Sequence, residues 1–131
     1  MTLDELLGTW DISMRHVQMR EAVLGLQRYE RVLDGAFVML DWTFDHPDFP
    51  DALALLQDGA LHYFDVRGVS RTFELVFKDS GWTLLRKDPD FWQRCAVALV
   101  GPREMKGTGE NSHDQGATWE HDFDITYTRI S

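Results

Sequence analysis

The chain has 131 residues, 44% of them hydrophobic and 12% aromatic, with 27% charged residues and a formal net charge of −9. That is the size of one domain, residues 1–131, with enough apolar mass to build a core or line a cavity. The charge argues against nucleic acid and against an anionic membrane surface, since Arg15, Arg20, Arg28 and Arg31 are interleaved with acids and apolar residues and form no basic patch.

The single cysteine, Cys95, leaves no intramolecular disulfide to form. The opening Met1-Thr2-Leu3-Asp4-Glu5 lacks the basic and apolar regions of a secretion signal. No apolar run approaches the ~20 residues of a membrane-spanning helix. These features lead to the expectation of a cytoplasmic protein in a reducing compartment.

Thr2 to Leu7 reads as a short helix, because Thr2 and Glu5 have capping-box spacing and Gly8 follows. A helix this short needs something larger to lean on. From Thr9 the period becomes two: Trp10, Ile12, Met14 and His16 alternate with Thr9, Asp11, Ser13 and Arg15. A connection over 17–22 precedes a second strand over about 23–33. Asp34-Gly35 is a tight-turn signal, and a third, markedly apolar strand runs to Phe44. The stretch 45–51 holds two prolines and is the least regular part of the chain.

Further strands are expected over 52–57, 60–66, 69–78, 82–87, 91–100 and 104–111. Asp58-Gly59, Arg67-Gly68, Asp79-Ser80-Gly81, Asp88-Pro89-Asp90 and Gly101-Pro102-Arg103 separate them. The last strand alternates Trp119, His121, Phe123, Ile125 and Tyr127 against Glu120, Asp122, Asp124 and Thr126. Ten short strands with tight connections force antiparallel neighbours. An open sheet would leave two edges, so the expectation is an all-β, ten-stranded, up-and-down barrel with a short N-terminal helix. A barrel of more than about eight strands has room for a cavity.

Gly8-x-Trp10 after a short helix resembles the opening of lipocalin-like (calycin) barrels. Four segments together resemble the DUF1579-like group of small bacterial proteins of unknown function. They are Leu7-Gly8-Thr9-Trp10, Pro50-Asp51-Ala52-Leu53-Ala54, Tyr63-Phe64-Asp65-x-Arg67-Gly68-Val69-x-Arg71, and Gly116 through Asp124. The resemblance implies a lipocalin-like barrel and no established activity. Ser112-x-Asp114-x-Gly116-x-Thr118-Trp119 is similar to the Asp-box, which in other β-proteins stabilises a hairpin away from the chemistry.

His121 is the one ionisable group on the apolar face of the last strand. It is read either as a polar contact in a lumen or as a core histidine bonded to a neighbour. In a closed barrel the first and last strands pair, which brings His16 into the same interior. Two histidines fall short of the three protein ligands of a catalytic zinc, and no His-x-His or Cys-x-x-Cys supplies more, so no metal or cofactor is implied. Arg71 opens the stripe Arg71, Phe73, Leu75, Phe77 and is expected either to pair with Asp65 or to bind a ligand carboxylate. Gln93 is a lone hydrogen-bonding group in the wall Phe91, Cys95, Val97, Leu99. Cys95 has no sequence neighbour that would lower its pKa and reads as a small buried hydrophobe.

The function expected is binding of a small, largely apolar molecule in a barrel cavity. Trp10, Trp42, Phe73, Gln93, Phe123 and Tyr127 are candidate lining residues, with His121, His16 and Arg71 as polar contacts. The alternatives are a small isomerase or hydrolase using His121 as acid/base, a haem-binding barrel, and a module that forms a homodimer through an apolar face or the Pro47–Pro50 loop.

Overall fold

The computed structural model describes residues 1–89 and 91–131; Asp90, in the expected Asp88-Pro89-Asp90 turn, lies outside them. Ten strands follow one short helical turn: β1 (Gly8–His16), β2 (Val23–Val32), β3 (Phe37–Phe44), β4 (Ala52–Gln57), β5 (Ala60–Asp65), β6 (Ser70–Lys78), β7 (Gly81–Lys87), β8 (Trp92–Gly101), β9 (Glu104–Ser112) and β10 (Glu120–Arg129). Each pairs antiparallel with the next, and β1 pairs with β10, so the meander closes and leaves no edge. The β1–β10 seam matches Ile12 with Tyr127, Met14 with Ile125 and His16 with Phe123. This is the closed, antiparallel, ten-stranded up-and-down barrel that the strand pattern predicted. Among the described residues no helix is long and apolar enough to cross a membrane.

The expected helix is a single 3-10 turn, Leu3–Leu6, and Thr2 makes no side-chain cap. A capping box needs a helix long enough to present an N3 amide to the cap oxygen, and four residues do not. Leu6 is 1% exposed and plugs the barrel end. Trp10 donates its indole N–H to the Leu6 carbonyl at 2.9 Å, tying plug to wall. Tight turns gather at that end. The longer connections, 17–22, 45–51 and 113–119, lie at the other, which is therefore the open end.

Inward positions follow the two-residue period on most strands: Ile12 and Met14 on β1, Gln27 and Tyr29 on β2, Val38 and Leu40 on β3, Ala54 and Leu56 on β4 are all buried. On β5 the inward set is Leu61 and Tyr63, so His62 faces outward beside Thr72.

β10 departs from its expected alternation. His121 pairs with Glu110, but the next pair is Phe123 with Gly109, so Asp122 is an extra residue in a β-bulge. One inserted residue reverses the faces on one side of it. Phe123, Ile125 and Tyr127 point inward as expected, whereas His121 points out. Its Nε2 lies 3.1 Å from Asp124 Oδ2, and the side chain is 45% exposed. The Asp122 carbonyl accepts from Val17 N–H at 3.0 Å, which anchors the bulge at the end of β1. The neighbouring strand makes room: a Cβ on Gly109 would stand 2.2 Å from Phe123 Cε1, so only glycine lets that ring lie across β9.

The Ser112–Trp119 segment is a self-bonded turn. Asp114 accepts from Ser112 Oγ at 2.7 Å, Thr118 N at 2.8 Å and Thr118 Oγ1 at 2.5 Å. These bonds, those from Thr118 foremost, hold its carboxyl down at about 2. Gly116 has φ +86°, and Trp92 rather than Trp119 lies closest beneath it.

Candidate functional site

The barrel interior holds two connected spaces. A deep chamber of about 210 Å³ is floored by Trp82 and walled by Tyr29, Leu61, Cys95 and Tyr127. Above it a mouth of about 420 Å³ opens at the end with the longer connections and takes in His16, Phe49, Arg67 and Arg71. Met14, Trp42, Phe73, Gln93 and Phe123 border both, so the two form one path from solvent to floor. The mouth has a volume ordinary for small-molecule sites, about 300–1,000 Å³, and the chamber extends it inward.

Apolar side chains reach this path because the inward positions of β3, β6 and β10 carry Trp42, Phe73 and Phe123. The phenols and the thiol within the chamber are neutral, while Asp122, Arg94 and Glu110 also border it. Burial raises the phenols of Tyr29 and Tyr127 and pushes the Cys95 thiol up to about 12. Tyr29 donates to Gln27 Oε1 at 3.2 Å. Among the described residues, two buried polar atoms, Trp82 Nε1 and Asn111 Oδ1, have no hydrogen-bond partner.

The mouth carries Asp48, Arg67, Arg71 and Asp122, the last of which also borders the chamber. His16 Nδ1 accepts from Gln18 N–H at 3.2 Å, which leaves the ring proton on Nε2 facing Asp122 Oδ1 at 2.9 Å. Both ring nitrogens are therefore occupied, and His16 presents no free base to a substrate and no free ligand to a metal or haem. The Phe49 ring, on the proline-containing loop, packs edge-on to His16 at 6.1 Å and to His46 at 5.4 Å. Opposite, Asp65 accepts from Tyr63 Oη at 2.7 Å and from Arg67 through its backbone N–H and guanidinium. Arg67 holds the Asp65 carboxyl well below the usual carboxylate range. Burial first, and the Asp65 bond second, raise Tyr63 to about 12.

Of the residues singled out in the sequence, Trp42, Phe73, Gln93 and Phe123 line the path, Tyr127 lines the chamber, and His16 and Arg71 stand at the mouth. Trp10 does not: it lies below the chamber at 1% exposure, with the Arg129 guanidinium 4.3 Å over its ring. His121 is on the outside, because the bulge precedes Phe123. The expected Asp65–Arg71 pair is replaced by Asp65–Arg67, since Arg67 sits in the turn just beyond Asp65 and reaches back to it. Sequence reasoning missed Asp122, Tyr63, Phe49 and Arg86. Alternation with Trp82 and Leu84 carried the signal for Arg86; the bulge that turns Asp122 inward left no residue signature. Among the described residues no three His, Cys, Asp or Glu side chains form a group able to hold a metal ion.

No protein-family model matches the chain, and no curated protein matches it in sequence. Solved structures do match in fold. Fatty-acid-binding protein 1 of Echinococcus granulosus has a TM-score of 0.69 at 13% identity, over 98% of this chain and 99% of that one. The S-type phycobiliprotein lyase of Guillardia theta gives 0.59 at 9% identity, over 98% and 90%. A protein of unknown function from the DUF3598 family of Nostoc punctiforme gives 0.67 at 13% identity, over 99% of this chain and 49% of that one. Identities this low carry the fold alone.

Proposed function

We propose that the barrel binds a small, largely apolar molecule in its interior and performs no chemistry on it. The observation that carries this reading is the continuous path from the open mouth to the Trp82 floor, walled by Met14, Trp42, Phe73 and Phe123. Apolar area removed from water stabilises such a complex by roughly 25 cal/mol per Å² before the costs of association. The proteins similar in fold, a fatty-acid-binding protein and a phycobiliprotein lyase, agree with a barrel that handles small organic molecules.

Membership of the DUF1579-like group, a bacterial source, a cytoplasmic location and a single domain over 1–131 belong to the same proposal, resting on the four matching segments and the composition. The test is mass spectrometry of an organic extract of purified protein, with uptake of an environment-sensitive apolar dye as a second arm. A stoichiometric small molecule, or saturable dye uptake displaced by an aliphatic competitor, supports the reading. An empty extract together with no dye uptake contradicts it.

A further inference from the structure

The polar groups of the mouth differ in what they hold. His16 is engaged with Asp122, Arg67 and Tyr63 with Asp65. Arg86, 8% exposed, donates its Nε–H to Gln93 Oε1 at 3.1 Å and its Nη1–H to Asp88. Arg71 lines the mouth, yet among the described residues no carboxylate or hydrogen-bond acceptor meets its guanidinium.

Strand register places these groups together. Glu74 pairs with Leu85, so Phe73 faces Arg86 across β6 and β7, and Arg71 is the inward neighbour diagonal to Arg86. Such neighbours have Cα atoms about 7–8 Å apart, within reach of long side chains. Arg71's charge lowers the pKa of Arg86, second only to burial, as expected for two cations at one rim. Arg86 pairs with Gln93 across β7 and β8 and occupies its amide oxygen, so the amide N–H₂ remains to face the path. The groups left uncommitted at this point are donors. Asp88 pairs with Arg86; of the carboxylates that line the mouth, Asp122 is engaged by His16 and Asp48 lies on the exposed proline-containing loop, which leaves the Arg71 guanidinium, among the described residues, as the cation without a partner beside a largely apolar chamber.

We infer that the ligand is an aliphatic monocarboxylate, with its carboxylate on Arg71, supported by Arg86 and the Gln93 amide, and its hydrocarbon part running past Phe73 and Phe123 into the chamber. A planar guanidinium without a carboxylate partner of its own matches a ligand carboxylate bidentately. The inference rests on the cavity reading above and adds the chemistry of the polar end.

Calorimetric titration of the whole chain with decanoate and with decanol at neutral pH tests it, in wild type and in Arg71→Met. Decanoate is expected to bind about tenfold or more tighter than decanol in wild type. In Arg71→Met decanoate falls to the level of decanol, and decanol binds as before. Equal affinities in wild type overturn the carboxylate assignment and leave the cavity reading standing. Binding of neither overturns both. A decanoate preference that survives in a natively melting Arg71→Met overturns the role of Arg71. The wild-type comparison decides the ligand class even where that variant does not fold.

Discussion

Gly109 backs the Phe123 ring that borders the chamber. Its replacement by alanine puts a methyl 2.2 Å from Phe123 Cε1, 2.4 Å from Cζ and 2.7 Å from Cδ1. Ordinary carbon contacts lie at about 3.5–4.0 Å, so the ring has to retreat by more than about 1 Å. Its free direction is the chamber of about 210 Å³, which it already borders. Overpacking costs about 1–3 kcal/mol, offset by about 0.5–1 kcal/mol from removing a glycine within a strand. Gly109→Ala should therefore lose about 1–2 kcal/mol of stability, on the order of 5 °C in Tm, and lose decanoate affinity as well. Urea unfolding and a decanoate titration of the same sample measure the two. A variant that melts lower yet binds as tightly as wild type refutes the placement of Phe123 as chamber wall. Unchanged stability with unchanged affinity refutes the steric argument itself.

Four further predictions separate the parts of the account. His121→Ala should leave stability within about 0.5 kcal/mol and leave ligand affinity unchanged, because the side chain faces solvent. His16→Ala should cost up to about 1 kcal/mol from the lost Asp122 contact and loosen the mouth, read as faster ligand dissociation in stopped-flow. Asp65 and Asp114 have folded pKa values depressed below the usual carboxylate range, so each contributes stability that is present above about pH 4 and lost as pH falls through the folded value. Urea midpoints should drop between about pH 4 and about 2, and Asp114→Asn should flatten that drop; a midpoint independent of pH in this window goes against both assignments. The Cys95 thiol, held protonated by burial with its pKa pushed up to about 12, should react slowly with a disulfide reagent that enters through the mouth, and more slowly still with ligand bound.

Much of the barrel was legible because a two-residue period and Gly- or Asp-rich turns are local signals. Strand Ala52–Gln57 follows from Pro50 before it and Asp58-Gly59 after it, and closure follows from counting strands and edges. Which face points inward was legible where one face is plainly apolar, as with Trp10, Ile12 and Met14. On β5 both faces are mixed, and tertiary context alone decides for Tyr63 over His62. His121 shows the limit most clearly. Its alternation with Phe123 and Tyr127 is unbroken in the sequence, yet one bulged residue sends it outward and brings Asp122 to His16. That bulge is set by packing of Phe123 over Gly109 and by the Val17–Asp122 backbone bond, both contacts between strands distant from any local pattern. Trp10 was placed on the correct face but at the wrong height, because side-chain period carries no information on depth along the barrel axis. Arg71 was read as a choice between Asp65 and a ligand; Arg67, two residues beyond Asp65, takes the carboxylate and leaves Arg71 at the mouth.

The central claim is that the interior of the barrel is the binding site. An NMR titration with decanoate, recorded on isotope-labelled protein, tests it residue by residue. Shifts and contacts from the ligand chain to Met14, Phe73, Cys95, Phe123 and Tyr127 are the result the account requires. Shifts confined to the outer apolar groove of Leu53, Phe64 and Val66, or no shifts at saturating ligand, contradict it.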